Sequence, residues 1–194
     1  MENINAFILA AGQGERLRPI TNHIPKPLVP ILGRPALQRV IERISELPVD
    51  KIGVNLHYQK DLIKEWIEGS AFSDKVTIFP EEDALGTGGA LKNAEELLGS
   101  GPFILNNSDI MSNIDLSALL KFHLASDNLV TLAVHDHAEF NSVAVDKEGL
   151  LKMVGRSDKS ETDDLRWLAY TGVSIYSPDF LRFLPQGASG LVSG

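Results

Sequence analysis

Apolar positions along the chain fall into two kinds of run, and the order of the runs predicts the fold. Short continuous apolar runs, typical of strands buried on both faces, cover residues 3–9, 51–56, 75–79, 102–106 and 129–135. Between them apolar side chains recur at helical spacing. Leu37, Val40, Ile41, Ile44 and Leu47 follow Pro35, which suits a first helical position. Leu62, Ile63, Trp66 and Ile67 line one side of residues 61–67, a further helix closes near Leu98 and Gly99, and residues 116–125 form another. This alternation predicts an α/β fold, an open, mostly parallel, Rossmann-like sheet flanked by helices. The pattern then changes. Residues 142–146, 150–154 and 168–176 are strand-like without long helices between them, and Asp146-Lys147-Glu148-Gly149 reads as a hairpin turn. An antiparallel C-terminal section is therefore expected, forming a wall over the first sheet. Residues 155–166 are polar and read as a loop.

Two glycine-bearing loops and one acid fall at the carboxyl ends of the first, third and fourth strands, the rim where open α/β sheets bind ligands. The first loop, residues 9–30, carries Gly12, Gly14, Arg16, Arg18, Lys26 and prolines at 19, 25, 27 and 30. Glycines let backbone amides approach an anion, and the prolines hold the segment extended. The second loop, residues 80–91, contains Leu85-Gly86-Thr87-Gly88-Gly89-Ala90, and the acid is Asp109. Together they predict a preformed phosphate site.

Composition narrows the ligand. The 194 residues are 43% hydrophobic and 23% charged, ordinary for one globular domain, and no apolar run is long enough for a membrane span. A secretory signal pattern is absent from the first residues, so a cytoplasmic location is the default. With no cysteine, disulfides, thiolate metal sites and cysteine nucleophiles are excluded. A net charge of −8 disfavours nucleic acid and anionic membranes. Residues 9–34 depart from that average, with four Arg or Lys against one Glu, a local +3 that leaves −11 elsewhere. A basic island in an acidic chain suits a small, highly charged anion.

Familiar phosphate motifs fit poorly. Gly12-Gln13-Gly14 opens like a dinucleotide fingerprint, but Leu17 stands where the third glycine belongs and Arg34 where a ribose-binding acid belongs. A Walker loop does not occur. The longer pattern L-A-A-G-x-G-x-R-L-x-P-x-T-x-x-x-P-K-P-L over residues 9–28 resembles the signature of the sugar-1-phosphate nucleotidylyltransferases. The resemblance continues through Leu85 to Ala90, Asn107-Ser108-Asp109 and Tyr170-Thr171-Gly172-Val173. Within that family the chain looks most like the N-acetylmuramate-1-phosphate uridylyltransferases. Mannose-1-phosphate guanylyltransferases come next, then glucose-1-phosphate thymidylyl- or uridylyltransferases.

The resemblance implies an enzyme that joins an NTP, UTP foremost, to a sugar 1-phosphate, N-acetylmuramate 1-phosphate foremost, with Mg²⁺ as cofactor. Arg16, Lys26 and Asp109 would be catalytic, with Asp109 also the metal ligand; as bland alternatives, the two cations are solvated and Asp109 caps a turn. Ala10, Ala11, Gly12, Gln13, Gly14, Arg16, Lys26, Glu81, Gly86 and Thr87 would bind the nucleotide. Glu81 either accepts an N–H from the base or is a surface acid beside Glu82 and Asp83. Asn107, Asn141, Arg156, Thr171 and Gly172 would meet the sugar phosphate. The chain departs from the family at three points. Ser108 replaces a glycine, Val154-Gly155-Arg156 stands where Glu-Lys-Pro is usual, and a second metal-binding Asp is missing. Residues 186–194 read as a severed loop, so a single, C-terminally truncated domain is expected. The departures keep open a non-catalytic nucleotide- or sugar-phosphate-binding module. His135-Asp136-His137 reads as a polar turn ahead of a metal site. Oligomeric state is not legible.

Overall fold

The computed structural model describes residues 4–155 and 164–191, so Arg156 and most of the polar stretch 155–166 lie outside the described residues. Strand β1 (Ile4–Leu9) leads into the long first loop, which is built of tight 3₁₀ turns and closes with a short antiparallel ribbon, β2 (Pro30–Ile31) and β3 (Arg34–Pro35). Then come α1 (Ala36–Ile44), β4 (Val49–Leu56), α2 (Lys60–Glu68), β5 (Val76–Pro80), α3 (Gly86–Asn93) and α4 (Glu95–Leu98). The remainder is β6 (Phe103–Asn107), α5 (Leu116–Leu124), β7 (Val130–His135), β8 (Val143–Val145), β9 (Leu151–Val154) and β10 (Arg166–Tyr176).

The main sheet runs β5-β4-β1-β6-β10-β8-β9, with β7 pairing β10. The β5-β4, β4-β1 and β1-β6 pairs are parallel, as the doubly apolar runs require. Side chains of β1 divide between the faces. Ile4, Ala6 and Ile8 pack with Leu37, Val40, Ile41 and Ile44 of α1, Ile63 and Ile67 of α2, and Leu116 and Leu120 of α5. Phe7 packs on the other face with Ala90 and Leu91 of α3, Leu98 of α4, and Leu181. Each of the buried Ile, Leu, Val and Phe side chains among these contributes about 1.5–3 kcal/mol. Helix α5 starts where the Asp115 carboxylate accepts from the Ala118 amide at 2.9 Å, a side-chain N-cap.

The hairpin expected at residues 146–149 joins β8 to β9, and the Asp146 side chain accepts from the Leu150 amide at 2.8 Å. Three expectations are refined. The helix after the second loop is broken into α3 and α4 at Ala94. Pro35 is the residue before α1 and pairs with Pro30 across the ribbon. The C-terminal strand does more than wall a pocket. Val173 to Tyr176 enters the main sheet antiparallel to β6, with β7 on its other edge. All four residues there are at most 2% exposed, so both faces are covered, which a central strand satisfies and a one-sided wall does not.

Candidate functional site

Strands β4 and β5 are added to one side of β1 and β6 to the other, so the strand order reverses at β1/β6. A crevice at the carboxyl ends of strands flanking such a reversal is where open α/β sheets hold ligands. It is present here as a hollow of about 300 Å³, lined by Ala10 to Gly12 after β1, Asn55 of β4, Glu81, Gly86 and Thr87 after β5, and Asn107 to Asp109 at β6. Lys26 and Asp109 form its boundary with a second, open hollow of about 880 Å³ bearing Gln13, Gly14 and Arg16.

The first loop is prepared for an anion. Among the described residues the amides of Ala11, Gly12, Gln13 and Gly14 meet no protein acceptor, whereas the Ala10 amide donates to Asn55 Oδ1 at 2.8 Å. Gly14 adopts φ 65, and a Cβ there would lie 2.9 Å from Thr21 Cγ2 and 3.1 Å from Lys26 Cβ. Glycine at this point therefore lets the chain turn and brings the Lys26 segment against it. Thr21 is buried, and its hydroxyl fixes the turn by donating to the Gly14 carbonyl at 2.9 Å. Lys26 Nζ sits 2.5 Å from Asp109 Oδ2, both side chains half-buried. Arg16 has no ion-pair partner among the described residues. A carboxylate and two cations thus border four open amides, a set suited to a polyphosphate with a divalent cation.

The second loop is held from beneath. Glu81 is only 3% exposed, so it is not a surface acid. Its Oε1 accepts from Asn55 Nδ2 at 2.8 Å and its Oε2 from the Leu85 amide at 3.0 Å. Glu82 points outward to Lys60 at 2.8 Å, and the hydrogen bond between them lowers the carboxyl's pKa and raises the ammonium's. The start of α3 is covered by the chain's own later segment. The Ser189 carbonyl accepts from Gly88 and Gly89 amides at 2.9 and 3.2 Å, and its amide donates to the Leu85 carbonyl at 2.8 Å.

The residues expected to meet a sugar phosphate are only partly gathered. Asn107 lines the smaller hollow, and Gly172 packs against it; a Cβ on Gly172 would lie 2.9 Å from Asn107 Nδ2. Thr171 donates its hydroxyl to the Ala133 carbonyl at 2.8 Å, within the register shift of β10. Asn141 belongs to neither hollow. Its Oδ1 accepts from the His137 amide and its Nδ2 donates to Asp136 Oδ1, both at 2.9 Å, closing the polar turn after β7. Arg156 lies outside the described residues.

Asn55 lines the hollow without having been singled out from the sequence, beside Ser108, which was marked there only as replacing a glycine. A signal for Asn55 was available, a lone amide near the end of the apolar run 51–56. For a metal, no group of three or more His, Asp or Glu is arranged to hold one among the described residues. Asp109 lines both hollows, which suits Mg²⁺, an ion that takes one or two carboxylates and completes its shell with phosphate oxygens and water.

Comparison with known proteins bears on the same residues. The family model described as nucleotidyl transferase matches residues 5–189. The chain is 30% identical to a mannose-1-phosphate guanylyltransferase of Mycobacterium tuberculosis over 95% of its own length but only 52% of that protein's. It is 29% identical to an N-acetylmuramate alpha-1-phosphate uridylyltransferase of Neisseria meningitidis serogroup B, covering 95% of this chain and 80% of that one. The chain thus spans between about a third and four fifths of the curated relatives it matches first. Its fold superposes on HddC from Yersinia pseudotuberculosis, crystallised with GMP-PN, with a TM-score of 0.79 at 26% identity, covering 96% of this chain and 82% of HddC.

Proposed function

The chain belongs to the nucleotidyl transferase family, and on that premise we propose that it joins an NTP to a sugar 1-phosphate, yielding an NDP-sugar and pyrophosphate. One observation carries the reading. The Lys26–Asp109 pair, 2.5 Å apart, stands beside the unengaged amides of Ala11 to Gly14 at the point where the strand order reverses.

In this reaction an oxygen of the sugar phosphate attacks the α-phosphorus, and the bond from that phosphorus to the β-phosphate oxygen breaks. The sugar phosphate oxygen is already ionised near neutral pH, so the protein need not supply a strong base. Catalysis then rests on alignment and on neutralising phosphate charge. The amides of Ala11 to Gly14 bind the phosphate chain. Lys26 places a point charge at the α-phosphate, and Arg16, with its planar fork, faces the departing pyrophosphate. Asp109 would hold Mg²⁺, which supplies further charge neutralisation when bound. Gly86, Thr87 and Glu81 border the base. A carboxylate has about four acceptor sites, so Glu81 keeps capacity for a base N–H beyond its two protein donors. Asn107 and Gly172 border the sugar, with Thr171 next to Gly172 on the same strand.

UTP with N-acetylmuramate 1-phosphate is the favoured pair, supported by the relative of which this chain covers the larger share. GTP with a mannose-type 1-phosphate is the second reading, supported by the guanylyltransferase relative and by the GMP-PN bound to HddC. Pyrophosphate release across a panel of four NTPs and common hexose 1-phosphates tests both. Turnover with one pair is expected, and silence across the panel, with nucleotide binding intact, would leave a non-catalytic binding module instead.

A further inference from the structure

Asn55 lies one residue from the carboxyl end of β4, in register with Leu9 of β1 on one side and Phe79 of β5 on the other. Its neighbours Ile52, Val54 and Leu56 are apolar and at most 1% exposed, so an amide here breaks the pattern of a strand covered on both faces. Asn55 itself is 3% exposed. Its Oδ1 accepts from the Ala10 amide at 2.8 Å and its Nδ2 donates to Glu81 Oε1 at 2.8 Å, while Glu81 Oε2 accepts from the Leu85 amide at 3.0 Å. The oxygen end meets an N–H donor and the nitrogen end meets a carboxylate, so only one orientation of the amide satisfies both. Three bonds therefore run from the first peptide of the phosphate loop to the residue just before α3. The turn after β4 extends the support. Gln59 Nε2 donates to the Asn22 carbonyl at 3.1 Å, and the Tyr58 hydroxyl to the Thr21 carbonyl at 3.3 Å, beneath Gly14.

We propose that Asn55 is a positioning residue for nucleotidyl transfer, holding the phosphate loop and the nucleobase loop in one mutual register through Ala10 and Glu81. The proposal rests on the cleft being an NTP site. A side chain unable to make both bonds strands a buried N–H and a buried carboxylate oxygen, and the two loops lose their shared anchor. Phosphate alignment and base discrimination should then fail together.

Asn55→Leu has similar volume and makes neither bond. In the ligand-free protein, hydrogen exchange at the Ala10 and Leu85 amides is expected to quicken by about tenfold or more, although the Leu85 amide bonds Glu81 and not Asn55. In turnover, kcat for the preferred NTP is expected to fall by about tenfold or more. The preference for UTP over CTP, or for GTP over ATP, is expected to shrink by a similar factor of about ten. Val54→Ala, which thins the same strand, should lower the melting temperature and leave the base preference at the wild-type value. Loss of thermal stability alone in Asn55→Leu, with Leu85 exchange and base preference unchanged, would overturn the proposal. A wild-type protein that turns over no NTP would remove the enzymatic reading, and the exchange measurement would still decide whether Asn55 ties the loops together. Should Asn55→Leu fail to fold, Asn55→Ser, too short to reach both partners, takes the same readouts.

Discussion

Gly12, after β1, has nothing within 4 Å of where a Cβ would stand, while Gly88 and Gly89, at the start of α3, would push theirs to 2.6 Å from Ser189 Oγ and 2.5 Å from the Gly187 carbonyl. Both loops reach the same rim, and in the sequence both read as nucleotide loops. The fold does not require a bare position at residue 12, which opens into the smaller hollow where the proposed nucleotide would lie. At residues 88 and 89 the space is already filled by the chain itself. Glycine in a loop at a ligand edge therefore has two meanings, and only the surroundings of the missing Cβ separate them.

The first loop is most sensitive at its charged end. Asp109→Ala and Lys26→Ala should each lower pyrophosphate release by a hundredfold or more, an effect of about 3 kcal/mol, with little change in melting temperature. Retention of more than about a tenth of wild-type turnover would remove them from the chemistry. Gly14→Ala should injure both properties, since it meets a positive φ of 65 and Thr21 Cγ2 at 2.9 Å. A loss of about 1–3 kcal/mol in urea unfolding, together with weaker nucleotide binding, is the expected outcome. Gly88→Ala should cost about 1–3 kcal/mol of stability by displacing residues 187–190, with turnover reduced less than in Asp109→Ala. An unchanged unfolding midpoint would show that the contact with Ser189 is not needed.

The smallest effect lies away from both loops. His123 of α5 is buried with its Nδ1 2.9 Å from the Thr131 hydroxyl, and burial lowers its pKa from 6.5. The unfolded chain takes up a proton below about 6.5 while the native protein resists it. Its stabilising contribution is thus complete above that pH and is lost as the pH falls from there through the lower native pKa. Melting curves between pH 5 and 8 should show a drop of a few degrees on the acid side, flattened in His123→Phe. Equal acid sensitivity in the variant would assign the effect to other groups.

The parallel half of the fold was legible because strands buried on both faces leave continuous apolar runs, as in β1 and β6. The first loop was legible through its residue types and spacing. Strand β10 was harder. Its pairing with β6 links residues about seventy apart, and nothing local to residues 173–176 states which neighbour they will find. The reach of residues 187–190 across α3 is equally non-local. Asn141 shows the converse problem. Its side chain is engaged within its own turn, which a residue type suited to sugar contacts does not reveal. Glu81 read as either a base contact or a surface acid, and its burial removes the second possibility.

At Gly12 the first loop is left open for the phosphates of the proposed nucleotide, a bareness that the fold itself does not need. Gly12→Ala tests it most directly, with nucleotide affinity by calorimetry and melting temperature measured on the same sample. The expected result is an affinity loss of about tenfold or more with the melting temperature unchanged. A lower melting temperature with undiminished affinity would assign the bare position to the fold instead.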